Sequence, residues 1–464
     1  MTLVVLPLAV VWIGAAVLTL FDGRRPLAGW LAVGILGANV AALVALGVRV
    51  ADEGRQELVT GNWPAGIGIT LAADELGVLF AVLSSAVLLV ALLYEVLGGV
   101  RTRTFPALVL FMASGLTGLF LTGDLFNFFV FFELSMIPAY VLSVYGDQAR
   151  RKIGAAFIFA VVNLLGSFIF LISVAATYHV TGTLDMQDAA EQLAVVEPAS
   201  VMLIAVGVFV AFGVKLGLFP FHFWLPPIYV GATPAVAAIL SGALANIGAY
   251  GLLRFGAALL PAELELGARA LIVIGSVSIL YGAMQALSRR DVREVLAYSA
   301  IGQAGYILVA LAVGGRVGFF AAVVYAVVNS ANKALLFLTA GLRGWLVGAA
   351  FVVGAFSVAG VPPSAGFFGK VAVFQAGVAE ESIALLVLLF VGGALSFVYM
   401  FQIYQHAFWR PEAATGDVSP AVLRGLTLGL AAVIVAIGIW PEPLLALSGG
   451  AADLLADRGG GGAP

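Results

Sequence analysis

Cysteine is absent from the 464 residues. That excludes disulfides, thiolate chemistry and cysteine-ligated iron–sulfur clusters. Histidine is scarce, and His179, His222 and His406 lie far apart without metal-ligand spacing, so no metal site is expected. Charge is equally sparse. Only 10% of residues are Asp, Glu, Lys or Arg, against roughly 25% in an ordinary soluble protein. The 22 basic and 25 acidic residues leave a net charge of −3, and no basic patch stands out. A nucleic-acid partner is therefore not expected. No cofactor motif appears either, so no cofactor is expected.

What is present is apolar residue in excess: 62% of the chain is hydrophobic, including 32 Phe. Such a chain cannot cover its surface with polar groups in water, and reads as an all-α polytopic membrane protein. A span needs about 20 residues. Spans are expected near 2–20, 27–49, 72–95, 105–122, 125–145, 154–177, 200–224, 234–256, 267–287, 292–313, 316–341, 347–379, 382–406 and 421–440, about fourteen in all. The runs lack the two-residue alternation of a strand barrel. The opening "MTLVVLPLAVVWIGAAVLTL" has no basic leader region and no clear cleavage site, and reads as a retained first helix. Bases follow the odd-numbered spans: Arg24 and Arg25, Arg101 and Arg103, Arg150, Arg151 and Lys152, Arg289, Arg290 and Arg293, Arg343, and Arg410. The positive-inside rule places these in the cytoplasm and both termini outside. The connection 178–200 is expected to hold a short helix or an ordinary loop. The glycine-ended stretch "AADLLADRGGGGAP" (451–464) of the C-terminal tail 441–464 is expected to fray.

Four ionisable side chains fall inside apolar runs. Glu133 sits in "TGDLFNFFVFFELSMIPAY", nine residues past Asp124, or about 13 Å along a helix. A lone charge there costs at least ~2.5–3.5 kcal/mol, and such residues commonly mark ion pathways. A structural ion pair is the bland alternative. Lys215 lies in "VFVAFGVKLGLFPFHFWLPP", where Gly217 and Pro220 interrupt the helix beside His222. Lys333 lies in "VVNSANKALLFLTAG", one turn from Asn329. Lys370 follows Pro362 and Pro363 in "SVAGVPPSAGFFGKVAVFQAG". The break follows the lysine in span seven and precedes it in span twelve, an order that suggests two inverted repeats. Ser299 and Gln303, four apart in "DVREVLAYSAIGQAGY", can hold water between charged stations. Asp74 and Glu75 open the third span, as an entrance or as headgroup-facing acids.

The strings "TGDLFNFFVFFE", "KLGLFPFHFWLP", "DVREVLAYSAIGQAGY" and "PPSAGFFGK" resemble the antiporter-like subunits of respiratory complex I and of the Mrp-type multisubunit cation/proton antiporters, above all the Mrp D-subunit family. The likeness runs from about Asp74 to Lys370. It implies a single membrane domain over 1–464: helices 1–3 in 1–100, a first five-helix repeat in 105–256, an inverted second in 267–406, and a last helix at 421–440. It implies broken helices 7 and 12, and a proton axis through Glu133, Lys215, Lys333 and Lys370. Asp124, His222, Asn246, Ser299, Gln303 and Asn329 are candidates for a supporting polar path. Partner subunits, protons, Na+ or another monovalent cation, membrane lipid and a bacterial plasma membrane are implied too. The chain departs from the family at "GALANIG", where Asn246 stands in place of a lysine, and Asn cannot take a proton near neutral pH. A redox-linked proton-pumping subunit of complex I or a membrane-bound hydrogenase, and a non-conducting scaffold, are the rival expectations.

Overall fold

A computed structural model describes residues 2–62, 68–146, 149–409 and 420–459. The chain is helical almost throughout. Helices α1 (Thr2–Leu18) and α2 (Pro26–Glu53) lead to a short antiparallel hairpin, β1 (Gln56–Val59) and β2 (Thr70–Ala73). There follow α3 (Glu75–Gly98), α4 (Phe105–Phe120), α5 (Leu125–Ser143), α6 (Ala149–Thr181), α7 (Met186–Leu193), α8 (Pro198–Leu216) and α9 (Leu225–Gly231). Next come α10 (Pro234–Leu259), α11 (Pro261–Leu287), α12 (Val292–Val313), α13 (Gly315–Thr339), α14 (Trp345–Ala359), α15 (Ala365–Ala379), α16 (Ile383–Tyr404), α17 (Ala421–Ile439) and α18 (Glu442–Gly459). Among the described residues, eleven helical segments are long and apolar enough to cross a bilayer.

Short polar punctuation sets the helix starts. Asp74, Asp124, Asp185, Asp291 and Ser382 each accept a backbone N–H from the first turn of the helix that follows, satisfying amides that the helix cannot. Pro occupies the first turn of α2, α4, α8, α10 and α11, where its missing N–H costs nothing. At one end of the bundle the connections are basic. The end of α3 and the starts of α6, α10, α12 and α17 converge there around a common cavity, and Gly23 joins by donating to the Arg103 carbonyl at 2.8 Å. At the other end, the hairpin pairs with the α4–α5 connection, and that connection pairs with the segment before α7.

The interior is aromatic around Phe128, Phe170, Phe212, Tyr250 and Phe255, whose rings pack at centroid distances of 5.0–6.2 Å. α6 turns Phe157, Leu165, Phe168 and Ile172 outward, as a helix facing lipid or a neighbouring subunit does. Between α11 and α12 the backbones nearly touch. A Cβ on Gly282 would lie 2.8 Å from the Gly302 Cα, so only glycine permits this approach.

Two features depart from expectation. The stretch 451–459 is not frayed: it belongs to α18, because Leu444, Ala451, Ala452 and Leu455 bury an apolar stripe against α3, α10 and α13. An ion pair between Arg316 and Asp453 fastens it. Span six is longer than expected, 149–181 against 154–177. The 178–200 connection does hold a short helix, α7. Arg410 and the terminal residues 460–464 lie outside the described residues. Gly282→Leu should overpack the α11–α12 seam and destabilise by at least about 1–3 kcal/mol, whereas Gly34→Ala, which meets nothing within 4 Å, should stay within about 0.5 kcal/mol. Thermal melting of the purified protein followed by size exclusion checks both.

Candidate functional site

Lys215 is in the last turn of α8 and only 2% exposed. Its Nζ donates to the Met136 sulfur and lies 5.3 Å from the Phe132 ring centroid. Glu133, next to Phe132 and one turn before Met136 on α5, is its acidic partner in electrostatic range, and Glu133 Oε1 is buried without a hydrogen-bond partner. The helix stops here because Gly217 takes the left-handed conformation at φ 74°. The chain then passes a cis Phe219–Pro220 bond. Two bonds tie down the freed backbone: Phe219 N–H to Ser278 Oγ at 3.0 Å, and Trp224 Nε1–H to the Val214 carbonyl at 3.0 Å. His222 stacks on Phe219 and Tyr281 beside this interruption, with its Nδ1 buried and unpartnered.

Lys370 repeats the setting. α14 ends at a left-handed Gly360, a cis Pro362–Pro363 bond follows, and α15 carries Lys370 into the interior. Its Nζ sits 3.2 Å from the Tyr306 ring centroid and 5.4 Å from that of Tyr325, with no hydrogen-bond acceptor. Among the described residues, these aromatic faces supply its compensation. Beyond them runs a polar chain. Tyr325 donates to Gln303 Oε1, Gln303 Nε2 donates to Tyr399 Oη at 3.2 Å, and Tyr399 meets Ser299 Oγ at 2.8 Å. Ser299 and Gln303 thus come together through Tyr399 on α16.

A neutral node is centred on α10. Asn246 Nδ2 donates to Ser84 Oγ at 2.9 Å, to the Gly242 carbonyl at 3.0 Å and towards Ser330 Oγ at 3.4 Å, tying α10 to α3 and α13. α10 carries wide i→i+5 turns on both sides of this node, over Ile239–Leu244 and Leu252–Leu259, the kind of bulge that concentrates at functional sites. Lys333 is buried on α13, one turn from Asn329, and Asn329 and Asn332 each hold a buried carbonyl oxygen without a partner. Such oxygens suit water. Asp124 is not in this interior: it caps α5, accepting from the Asn127 amide at 2.6 Å. Burial pushes its carboxyl above the ordinary range, against the pull of the Asn127 and Phe126 amides. Among the described residues no His, Cys, Asp and Glu group could hold a metal.

Three features escaped the sequence reading. Tyr306, Tyr325 and Tyr399 form the surroundings of Lys370, yet a tyrosine in an apolar helix carries no pattern of its own. Asp74 neither opens a mouth nor faces headgroups. It makes a buried ion pair with Arg254 at 2.6 Å, and Arg254 Nε also donates to Tyr250 Oη at 3.0 Å. Glu95 is buried at the basic end, hydrogen-bonded by Tyr145.

Fold and site together define a polytopic membrane protein with ionisable groups sealed inside a helical bundle. The family model described as "NADH:quinone oxidoreductase/Mrp antiporter, TM" matches residues 122–345 and 342–396, and the chain belongs to that family. It is 31% identical to the D subunit of the Na(+)/H(+) antiporter of Alkalihalophilus pseudofirmus, over 98% of this chain and 97% of that one. It is 30% identical to the D subunit of the Na(+)/H(+) antiporter of Bacillus subtilis, over 84% of each. Its structure superposes on a chain of the Mrp complex from Dietzia sp. DQ12-45-1b with a TM-score of 0.87 at 28% identity, over 98% and 97% of the two chains. Within the family, the chain is a relative of the Mrp D subunits.

Arg254→Met should destabilise by about 3–5 kcal/mol, because it leaves the Asp74 carboxylate buried and unpaired. Removing both charges in Asp74→Leu/Arg254→Met should recover much of that loss. A double-mutant cycle on thermal unfolding of the purified protein reads the coupling.

Proposed function

We propose that the chain is the D-type subunit of a multisubunit Mrp-type Na+/H+ antiporter in a bacterial plasma membrane, and that it conducts protons along Glu133, Lys215, Lys333 and Lys370. One observation carries the reading. Two lysines, Lys215 and Lys370, are buried beside two helix interruptions, each facing aromatic rings. A structural scaffold has no use for an under-compensated buried ammonium, whose desolvation is costly. A carrier of protons does: neutralising or charging one station changes the energy of the next by Coulomb coupling.

Around that axis we assign the finer architecture. The 105–256 and 267–406 segments are two five-helix repeats of inverted topology. The interruptions after Leu216 and Ala359 are the broken helices 7 and 12, and 1–100 and 421–440 flank them. The basic end is cytoplasmic by the positive-inside rule, and both termini lie outside. Asn246, Asn329, Ser299 and Gln303 hold water between the charged stations. Asn246 takes no proton itself, so passage at that node is by water. His222 adds a group that can take a proton beside the first interruption, and Asp124 orders the outer mouth of α5. Na+ or another monovalent cation moves in the opposite sense through the assembled complex.

Vesicles carrying the complete complex test this. Glu133→Gln, Lys215→Ala and Lys370→Ala should each lower proton-coupled Na+ exchange at least about tenfold without loss of assembly, the scale of about 1.4 kcal/mol in a barrier. Exchange that survives both Glu133→Gln and Lys215→Ala at the parent rate contradicts the assignment.

A further inference from the structure

The end opposite the basic connections carries a feature that the proton axis does not use. A groove of about 890 Å³ opens there between α7, the starts of α8 and α11, the last turn of α10 and the end of α18. Its lining is largely apolar and includes Leu193, Val201, Met202, Leu259 and Leu266. Leu266 is 76% exposed, and Val195 and Leu203, beside the wall in sequence, are 81% and 76% exposed. Three acids share the wall, Glu191, Glu263 and Asp457, and among the described residues no base lines it.

We infer that this groove seats an apolar segment of a neighbouring subunit, one that presents a lysine or arginine to Glu191, Glu263 and Asp457. The inference rests on the multisubunit reading and names one surface through which the chain joins its partners. It is independent of the proton axis.

The chain's own bases do not answer these acids. Among the described residues none of the three enters an ion pair. Arg55 reaches Gln187 on the wall, but Glu57 holds it at 2.6 Å. Arg316 is held by Asp453. Arg269 lies six residues past Glu263 on α11, about 120° round the helix. α7 is itself crowded with acid: partial burial, then Asp185 and Glu191, push the Asp188 carboxyl above its ordinary range.

Charge also chooses the occupant. An apolar cleft is costly to leave open to water, and the groups that could fill it differ in charge. A phospholipid tail suits the lining but brings a phosphate toward three carboxylates. A second copy of this chain, inserted in the same orientation, brings the same acid-lined end to this one. A segment with a basic residue among apolar ones satisfies both demands: the long stem lies along the apolar lining and the charged head reaches the carboxylates. The seat touches Ala258 and Leu259, at the end of the wide turns of α10, so the occupant bears on the helix that carries Asn246.

The test uses the complete complex in its membrane. A benzophenone amino acid in place of Ala199, on the groove wall, should on irradiation join the chain to another subunit. The double variant Glu191→Lys/Glu263→Lys should cut the yield of that adduct at least about tenfold, because like charges then face each other. Glu265→Lys, exposed on α11 but off the wall, should leave the yield at the parent level. Changing the partner base nearest the joined site to glutamate, together with the double variant, should recover part of the yield. An adduct with lipid alone or with a second copy alone, no protein adduct, a yield unmoved by the double variant, an equal fall in Glu265→Lys, or no recovery on the partner change would each overturn the inference. If the chain purifies with no other subunit, the multisubunit reading fails as well. If the complex is intact and position 199 joins to no other subunit, the groove assignment fails alone.

Discussion

A charged side chain inside a membrane-spanning bundle must find compensation or become neutral. Everything distinctive in this protein follows from how that demand is met at a few positions. The Arg254–Asp74 pair meets it completely, with two opposite charges, a further hydrogen bond from Arg254 Nε to Tyr250 Oη and one from the Gly77 amide to Asp74. That pair clamps α3 to α10 and is built to stay charged. Lys370 meets the demand only through two aromatic faces, and Lys215 through a thioether, a ring and the distant charge of Glu133. Incomplete compensation makes a charge easy to remove. The contrast between a satisfied clamp and under-satisfied lysines sets the two kinds of buried charge apart in one fold, and on the proposed reading the lysines are the ones that work.

The helix interruptions answer to the same demand. At Gly217–Pro220 and at Gly360–Pro363 the backbone stops bonding to itself, and freed groups must be answered locally. Ser278, Trp224 and Ser357 supply those answers. The wide turns of α10 act similarly around Asn246. Backbone irregularity recurs where the buried lysines and the neutral node lie, and the long helices α2, α6 and α11 remain regular on the outside.

The four charged positions were legible in the sequence because a Glu or Lys in an apolar run is a local anomaly. The two interruptions were legible for the same reason, since Gly and Pro act on their own neighbourhood. What could not be read was pairing across the fold. Asp74 and Arg254 are 180 residues apart, Gln303 and Tyr399 are 96 apart, and Glu95 and Tyr145 are 50 apart. No periodicity links such residues; only packing does. The C-terminal helix α18 was missed because its terminal glycines dominated the reading, although Leu444, Ala451, Ala452 and Leu455 recur at helical spacing. Asp124 was read from its closeness to Glu133, whereas its carboxyl serves the first turn of α5.

The central claim is that the buried lysines and Glu133 share one hydrated seam across the interior. A structure of the assembled complex at a resolution that shows ordered water tests it most directly. The account predicts waters within hydrogen-bond reach of Glu133, Lys215, Asn246, Asn329, Lys333 and Lys370, strung between them in at least one captured state. Tight apolar packing between these stations in every state, with water confined to the two ends, would contradict it.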